Sequence, residues 1–409
     1  MTLSSFVKPR RSVLSIVALA LLVLVGCVPL PVDPSWASVS ILNEQQQILY
    51  AFNDRVTLID PLDGSPVELR DSDGNVRVDN ESGNPLLWDL RLQAQPATQF
   101  YSAPVVDDDA ILLFPTYSRR IYEVDALAAR INNPEGRLIE DESTTNHIVT
   151  DILATDDSLY IPLSEGDVKA VNRSDWTIRW RFDTDFGVWS PPQLVEDRLI
   201  FSSLNHNVYA LDPLTGDELW RADLQGAVTS APVLSNDFLY VGSFANRIYK
   251  INLDGEIVAE FETRDWVWGT PALADDGTML YVGDSSGWVY ALDISGDGFS
   301  EVWSRQVAQR AVRATPLVVD DTLIVASRDR RAYWLTRADG VEVFNREVAG
   351  EILANPLLIE PNESLSEALV IVSTMALLTE PWHMSQPDPP SRLVRPVIPP
   401  GLLEYASAS

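Results

Sequence analysis

Residues 207–220 read NVYALDPLTGDELW, and this stretch recurs along the chain. A second copy reads WVYALDISGDGFSEVW at 288–303. Fainter copies, which keep the alternation of apolar residues and the turn, lie at 55–69, 167–180 and 247–261. A segment repeated this often is a structural unit, so the fold has to be derived from the repeat.

A second recurring element ends in proline and sets the length of the unit. The sequence has YSAP at 101–104, WSPP at 189–192, TSAP at 229–232, WGTP at 268–271, RATP at 313–316 and LANP at 353–356. The last four intervals between the final prolines are 40, 39, 45 and 40 residues. A period near 40 residues is typical of propeller blades that contain four strands each.

Each unit predicts four short strands. In residues 231–261, turn clusters separate apolar or alternating runs of strand length, and no segment has helical periodicity. Gly216 and Gly255 fit turn positions that need positive φ. Tryptophans recur on the fourth strand, and we expect them to pack between adjacent blades. These residues are Trp180, Trp220 and Trp303.

The repeats cover residues 38–375 and predict an all-β fold, a single β-propeller. Units begin near residues 38, 100, 147, 187, 227, 266, 311 and 351, which favours eight blades and leaves seven as the alternative. A propeller must close its ring, because an open end leaves unpaired strand edges. Residues 28–36 are a candidate outer strand for the last blade. The proline-rich segment 376–409 is predicted to be an extended tail.

The stretch VYALDPLTGDELW resembles the signature repeat of the PQQ-type β-propeller family, whose motif runs A-x-D-x-x-T-G-x-x-x-W. The matching residues are Ala210, Asp212, Thr215, Gly216 and Trp220. The resemblance implies that enzymes of this superfamily hold pyrroloquinoline quinone beneath two adjacent cysteines, beside a calcium ion. This chain has one cysteine, Cys27. The cofactor site therefore does not carry over, and we expect no cofactor.

The composition limits the classes of partner. The 409 residues carry a formal net charge of −29, and a chain this acidic repels phosphate backbones, so we expect no nucleic-acid partner. Solubility or a salty habitat is the simplest reason for the acidity. A hydrophobic fraction of 46% supports a large packed core.

The first 27 residues predict export and lipid attachment. A basic head with no acidic residue precedes the apolar run SVLSIVALALLVLVG at 12–26, which is shorter than a membrane-spanning helix. Leu24-Val25-Gly26-Cys27 resembles the bacterial lipobox. The resemblance implies a lipoprotein signal peptide at 1–26, acylation of Cys27 and a lipidated linker at 27–37, which would tether the protein to a membrane. An uncleaved signal anchor is the alternative.

No motif predicts catalysis or a metal site. The histidines His147, His206 and His383 have no spacing to a serine or an acid that suggests a triad. Two Asp-Gly loops, 71–75 and 293–298, place oxygen-bearing side chains near a glycine. Neither has the closing glutamate of a calcium loop, since the twelfth positions are Ser82 and Ser304. Ordinary turns explain both loops.

The loops before the repeated prolines predict a contact surface. The residue three before each proline is expected at one mouth of the ring, and the preceding residue is expected to be buried. The preceding residues are Phe100, Val188, Val228, Val267, Val312 and Ile352. Trp, Tyr and Arg dominate protein-binding hot spots. The predicted contact rim is Tyr101, Trp189, Trp266, Trp268 and Arg313, with packing between blades as the alternative role.

A lipid-anchored, exported propeller without a catalytic constellation resembles the BamB-like scaffold lipoproteins of the machinery that folds barrels into the bacterial outer membrane. The resemblance implies a monomeric, non-enzymatic scaffold that binds a partner protein through exposed loops. Val28, in place of an aspartate after Cys27, implies delivery to the outer membrane if the cell has one. The alternatives are a cell-surface propeller that binds a carbohydrate or small ligand, and a quinone-dependent oxidoreductase.

Overall fold

The computed structural model describes residues 38–42, 47–52, 55–61, 64–71, 74–80, 82–91, 100–106, 111–139, 145–348, 350–360, 369–373 and 378–383. Within these ranges the secondary structure consists of strands, turns and bends. No helix in the described part of the chain is long and apolar enough to cross a membrane.

The strands form consecutive sheets, which we call blades 1 to 8. Blade 1 contains β1 (Ser38–Leu42), β2 (Gln47–Phe52), β3 (Arg55–Ile59) and β4 (Asp89–Arg91). Blade 2 contains β5 (Val105–Val106), β6 (Ile111–Pro115), β7 (Arg120–Asp125), β8 (Arg130–Ile131) and β9 (Arg137–Leu138). Blade 3 contains β10 (Leu153–Ala154), β11 (Ser158–Pro162), β12 (Asp167–Asn172) and β13 (Ile178–Asp183). Blade 4 contains β14 (Gln193–Val195), β15 (Arg198–Ser202), β16 (Asn207–Leu211) and β17 (Glu218–Asp223).

The second half of the chain continues the pattern. Blade 5 contains β18 (Val233–Ser235), β19 (Phe238–Ser243), β20 (Arg247–Asn252) and β21 (Ile257–Glu262). Blade 6 contains β22 (Ala272–Leu273), β23 (Met279–Gly283), β24 (Trp288–Asp293) and β25 (Ser300–Gln306). Blade 7 contains β26 (Leu317–Val319), β27 (Thr322–Ser327), β28 (Arg331–Thr336) and β29 (Glu342–Glu347). Blade 8 contains β30 (Leu357–Ile359), β31 (Leu369–Ser373) and β32 (Leu378–His383).

The sheets confirm the predicted all-β propeller. Among the described residues, seven blades have four sequential antiparallel strand positions and blade 8 has three strands. In blade 2 the fourth position is shared, because β8 and β9 both pair with β7. The suggested outer strand at 28–36 lies outside the described residues, as do residues 1–37 and 384–409 of the predicted signal peptide, linker and tail.

Blade 8 extends beyond residue 375, the predicted end of the propeller. Strand β32 pairs with β31, although it contains Pro381. Proline lacks a backbone N–H, so it is tolerated in a strand that has a neighbour on one side only. The proline-rich composition led to the prediction of an extended tail from residue 376, although residues 378–383 form a strand. Blade 8 also contacts blade 1, since Ile359 packs with Ile48 and Ile59 in one buried cluster.

Neighbouring blades are joined by tryptophans on the fourth strand, as predicted. Trp303 of blade 6 donates its indole N–H to the carbonyl oxygen of Arg337 in blade 7, at 2.8 Å. A Cβ on Gly340, which has φ +68°, would lie 2.7 Å from the same indole, so only glycine allows this contact. The same arrangement joins Trp180 to Gly216 and Trp220 to Gly255, and both glycines have the predicted positive φ.

The tryptophan contact should contribute to global stability. We expect Trp303→Ala to lower the free energy of unfolding by about 3 kcal/mol, because it removes a buried indole and leaves a partly buried carbonyl without its donor. The adjacent Val302, which is 51% exposed, provides the control Val302→Ala. Urea denaturation of both variants measures the difference. Equal losses for the two variants would contradict a role for the indole in joining the blades.

Candidate functional site

One end of the ring is built from two kinds of connection, and we call it the mouth face. Mouth loops lead from the fourth strand of one blade to the first strand of the next, and mouth hairpins join second and third strands. The hydrogen bonds between them recur. The amide of Val267 donates to Ser243 O at 3.2 Å, and the amide of Ser285 donates to Trp266 O at 2.9 Å. The mouth loop 263–271 is therefore bonded to the hairpins of both neighbouring blades.

A buried apolar side chain anchors each of these loops, as the sequence predicts. Phe100, Val188, Val228, Val267, Val312 and Ile352 are all at most 1% exposed. The loop after blade 3 shows the same pair of bonds, from Val188 N to Leu163 O at 3.1 Å and from Leu204 N to Gly187 O at 2.9 Å. Because both bonds are backbone bonds, they fix the loop backbone without using the side chains beside the buried residue.

Four aromatic rings form one cluster on the mouth face. Trp266 and Trp268 flank the buried Val267, so both project to the opposite side of the loop. The ring of Phe244 stacks on Trp266 with centroids 4.9 Å apart, and its centroid lies 5.1 Å from that of Trp268. Trp189 lies against Trp268 at 6.5 Å. Trp189 is 41% exposed and Trp266 is 49% exposed, so the cluster presents aromatic surface to solvent.

Arg313 extends the aromatic cluster with a positive charge. Its guanidinium carbon lies 3.9 Å from the ring centroid of Trp268, a cation–π contact. Its Nε is buried and has no hydrogen-bond partner among the described residues. Burial, followed by the charge of Arg328, lowers the pKa of Arg313, although an arginine in this setting stays protonated. The guanidinium is therefore a half-buried donor that can donate a hydrogen bond to an oxygen of a partner.

An arginine pair beside Arg313 makes this part of the mouth face positive. Glu351 accepts from Arg310 at 2.6 Å and from Arg328 at 2.7 Å. Burial opposes ionisation of Glu351, but the bonds from the two arginines outweigh burial and lower its pKa. Glu351 pairs with two arginines here, and its charge also acts on Arg313, in a chain whose formal net charge is −29. The site thus combines exposed aromatic rings with a local excess of positive charge.

The structure brings together four of the five predicted rim residues and places the fifth in another cluster. Trp189, Trp266, Trp268 and Arg313 are in one contiguous set. Tyr101 instead packs on Tyr117, with centroids 5.1 Å apart, and Tyr117 stacks on His147 at 3.9 Å. The sequence did not predict Phe244 as part of this cluster, because Phe244 lies on a mouth hairpin and the proline alignment covers the mouth loops alone. Aligning the hairpins as well would have found it.

Two of the histidines considered for catalysis, His206 and His147, lie in a turn and in an aromatic stack in the part of the chain that the structure describes. His206 has φ +78° in an exposed mouth hairpin, and Nδ1 of His147 lies 2.7 Å from Tyr117 O. No group of three or more His, Cys, Asp or Glu side chains in the described residues could hold a metal ion. In the loop 293–298, Asp293 accepts from the amide of Ser295 at 2.9 Å, an ordinary turn.

Comparison with known families assigns the chain. The model of the family described as "Outer membrane protein assembly factor BamB" matches residues 164–298 and 247–376, which together cover just over half of the 409 residues. The chain belongs to this family of PQQ-type β-propellers. The predicted resemblance is thereby confirmed.

Individual relatives of the BamB family are distant. BamB of Moranella endobia is 22% identical over 222 residues, which is 50% of this chain and 56% of that protein. BamB of Escherichia coli K12 is 23% identical over 148 residues, 36% of each protein. The chain therefore aligns with about half or less of the length of these curated relatives.

Solved structures support the fold. BamB from Moraxella catarrhalis has a TM-score of 0.58 at 14% identity, covering 84% of this chain and 97% of its own. The computationally designed protein Ika8 has a TM-score of 0.61 at 14% identity, covering 86% of this chain and 97% of its own. A designed protein among the matches shows that this likeness concerns the fold alone.

The ion pairs of Glu351 with Arg310 and Arg328 should contribute to stability. The lowered pKa of Glu351 means that its stabilisation is present above the ordinary carboxylate pKa and is lost as pH falls through the lowered value. We expect Glu351→Gln to be less stable than wild type by about 1 kcal/mol near neutral pH, with a difference that shrinks between about pH 5 and pH 3. Urea denaturation at several pH values measures it.

The control for this prediction is a carboxylate of the same kind at an exposed site. The side chain of Glu262 is 83% exposed and lies 3.4 Å from Arg247. Glu262→Gln should change stability by less than about 0.5 kcal/mol. A pH-independent loss for Glu351→Gln would show that the carboxylate's charge is not the source of the stabilisation.

Proposed function

We propose that this protein is a non-catalytic, lipid-anchored scaffold that binds a partner protein at its mouth face and acts in outer-membrane protein assembly. The observation that carries the proposal is the cluster of Trp189, Phe244, Trp266, Trp268 and Arg313. Exposed tryptophans and a half-buried arginine are the residue types of binding hot spots. Membership of the BamB family supports the assembly role, because the family and its curated members bear the name of outer membrane protein assembly factors.

The geometry favours binding over catalysis at this site. Hydrogen bonds from two blades hold the backbone of the loop, and the rings and the guanidinium contact one another, so little conformational entropy is lost when a partner docks. The arginine offers donors to a backbone carbonyl or a carboxylate, and the rings offer apolar area for a neighbouring side chain. Such a surface suits a polypeptide segment that pairs an apolar residue with an exposed acceptor.

The lipid anchor is part of the proposal. Cys27 would carry the acyl chains, residues 28–37 would link it to blade 1, and the propeller would stand outside the cytoplasm at the membrane surface. More than one acyl chain gives stable attachment. The scaffold would then act as a monomer whose tethering raises the local concentration of its mouth face near a membrane-bound partner.

The anchor is tested by Cys27→Ala. We expect this variant to keep residues 1–26 uncleaved or to lose its membrane attachment, because the lipidated sulfur is absent. Fractionation of cells and mass spectrometry of the N-terminal peptide measure both outcomes. A wild-type protein whose isolated N-terminal peptide contains residues 1–26 without acyl groups would instead support the uncleaved signal anchor.

The binding role is tested by the double variant Trp189→Ala and Trp268→Ala. Capture of membrane partners by crosslinking should fall by about tenfold or more, because two hot-spot side chains are removed. The thermal midpoint should remain close to that of wild type. Recovery of barrel-assembly components by the wild type supports the assembly role, and recovery of surface polysaccharide alone would favour the carbohydrate-binding alternative.

The control is an exposed apolar residue at the other end of the ring. Leu214 is 68% exposed and lies in the turn between the third and fourth strands of blade 4, away from the mouth hairpins. Leu214→Ala should capture partners as wild type does. If the double variant loses much stability, then Trp189 and Trp268 serve blade packing, and the proposed binding site is wrong.

A further inference from the structure

Blade 5 departs from the repeat at the position that joins neighbouring blades. In three blades, an alanine on the third strand lies opposite the tryptophan of the fourth strand. These pairs are Ala170 with Trp180, Ala210 with Trp220 and Ala291 with Trp303. In blade 5 the same position pairs Lys250 with Ala259. The large ring is missing from the fourth strand, and a long cationic side chain has replaced the alanine.

Lys250 takes over the hydrogen bond of the missing indole. Its ammonium donates to Gly296 O at 2.8 Å and to Asp297 O at 3.2 Å, both in the turn of blade 6 that faces blade 5. Elsewhere in the ring, an indole N–H donates to a carbonyl of the corresponding turn. Lys250 is 3% exposed, and its Nζ lies 4.2 Å from the ring centroid of Phe238. Lys250 therefore preserves a hydrogen bond between blades 5 and 6, but no side chain as large as an indole stands at this position of the fourth strand.

A cleft occupies this place between blades 5 and 6. It has a volume of about 390 Å³, within the lower range of small-molecule sites, and Phe238, Tyr240, Lys250 and Val258 line it. A Cβ on Gly296 would meet no atom within 4 Å, and one on Gly298 would meet only Ala259, at 4.0 Å, in contrast to the crowded turn glycines that face tryptophans.

The longer turn of blade 6 covers one side of the cleft. Leu292 pairs with Glu301, nine positions later, whereas Leu211 of blade 4 pairs with Glu218, seven positions later. The added length brings the ring of Phe299 against Tyr240, at 5.9 Å between centroids. The turn therefore adds an aromatic ring that packs on Tyr240, and Tyr240 lines the cleft.

Two hydrogen-bond donors in the cleft have capacity left. An ammonium carries three protons, and Lys250 uses two on the turn carbonyls. The hydroxyl of Tyr240 is buried, and no residue in the described chain accepts its proton. The corresponding hydroxyl in blade 3, that of Tyr160, donates to Pro213 O at 3.2 Å. A buried hydroxyl without an acceptor is costly, so a ligand that supplies one is favoured.

We propose that this cleft binds a small planar aromatic monocarboxylate. The ring would lie in the space that an indole fills in the neighbouring blades, and the carboxylate would accept from Lys250 and Tyr240. Asp297 also lines the cleft and is exposed, so its carboxylate disfavours a ligand with a second negative charge. The site is distinct from the mouth face, and its occupancy does not depend on partner binding there.

The test uses indole-3-carboxylate as the probe and the full-length protein. Isothermal titration or ligand-observed NMR should give a dissociation constant of about 1 mM or tighter. Indole has no carboxylate for the two donors and should bind at least about tenfold more weakly. Ala259→Trp refills the space and should abolish binding of the probe while the protein stays folded. Absence of binding to wild type, or equal binding to wild type and Ala259→Trp, would overturn the proposal.

A second variant decides the outcome if Ala259→Trp does not fold. Tyr240→Phe keeps the aromatic ring at this position and removes one donor, so the dissociation constant should rise about tenfold while the thermal midpoint stays equal or rises. An unchanged dissociation constant would show that the hydroxyl does not contact the ligand and would overturn the assigned binding geometry. Neither measurement involves the tryptophans of the mouth face, so its result is independent of the proposed scaffold role.

Discussion

Two backbone hydrogen bonds, one to the hairpin of each neighbouring blade, hold the mouth loops that contain Val188, Val228, Val267 and Val312. A buried apolar side chain such as Val267 lies between those bonds, and its position is fixed by the packing of the ring. The backbone at the exposed neighbours Trp266 and Trp268 is therefore already ordered in the folded protein. A partner that binds there loses little conformational entropy in ordering it. The backbone bonds and the buried side chain that join the loop to two blades therefore also place its aromatic residues at the surface.

In the outer part of the ring, neighbouring blades are joined by a different contact, which recurs with the sequence repeat. A fourth-strand indole lies on a turn glycine of the next blade and donates to one of its carbonyls, as Trp303 does at Gly340 and Arg337. Where the chain replaces the indole by Ala259, Lys250 keeps the hydrogen bond and a cleft takes part of the volume. The repeated residues are sufficient to form the blades. A position that departs from the repeat is therefore a candidate for a function other than folding.

The fold could be predicted because its determinants are local. Turn glycines, alternating strands and the proline period each act within a few residues, so the sequence predicted the propeller, the buried residues such as Val267 and the role of Trp303. Contacts between distant segments could not be predicted in this way. Phe244 and Arg328 join the rim from hairpins that the proline alignment did not include, and β32 was concealed by Pro381 in a proline-rich segment.

We propose that the aromatic and positively charged part of the mouth face contacts a partner protein. A photo-crosslinking amino acid placed at position 266 tests it most directly, with position 214 at the other end of the ring as the reference. In native membranes, we expect a discrete crosslinked protein from position 266 and none from position 214. Equal crosslinking from the two positions, or none from position 266 in membranes where the protein is lipid-anchored, would contradict it.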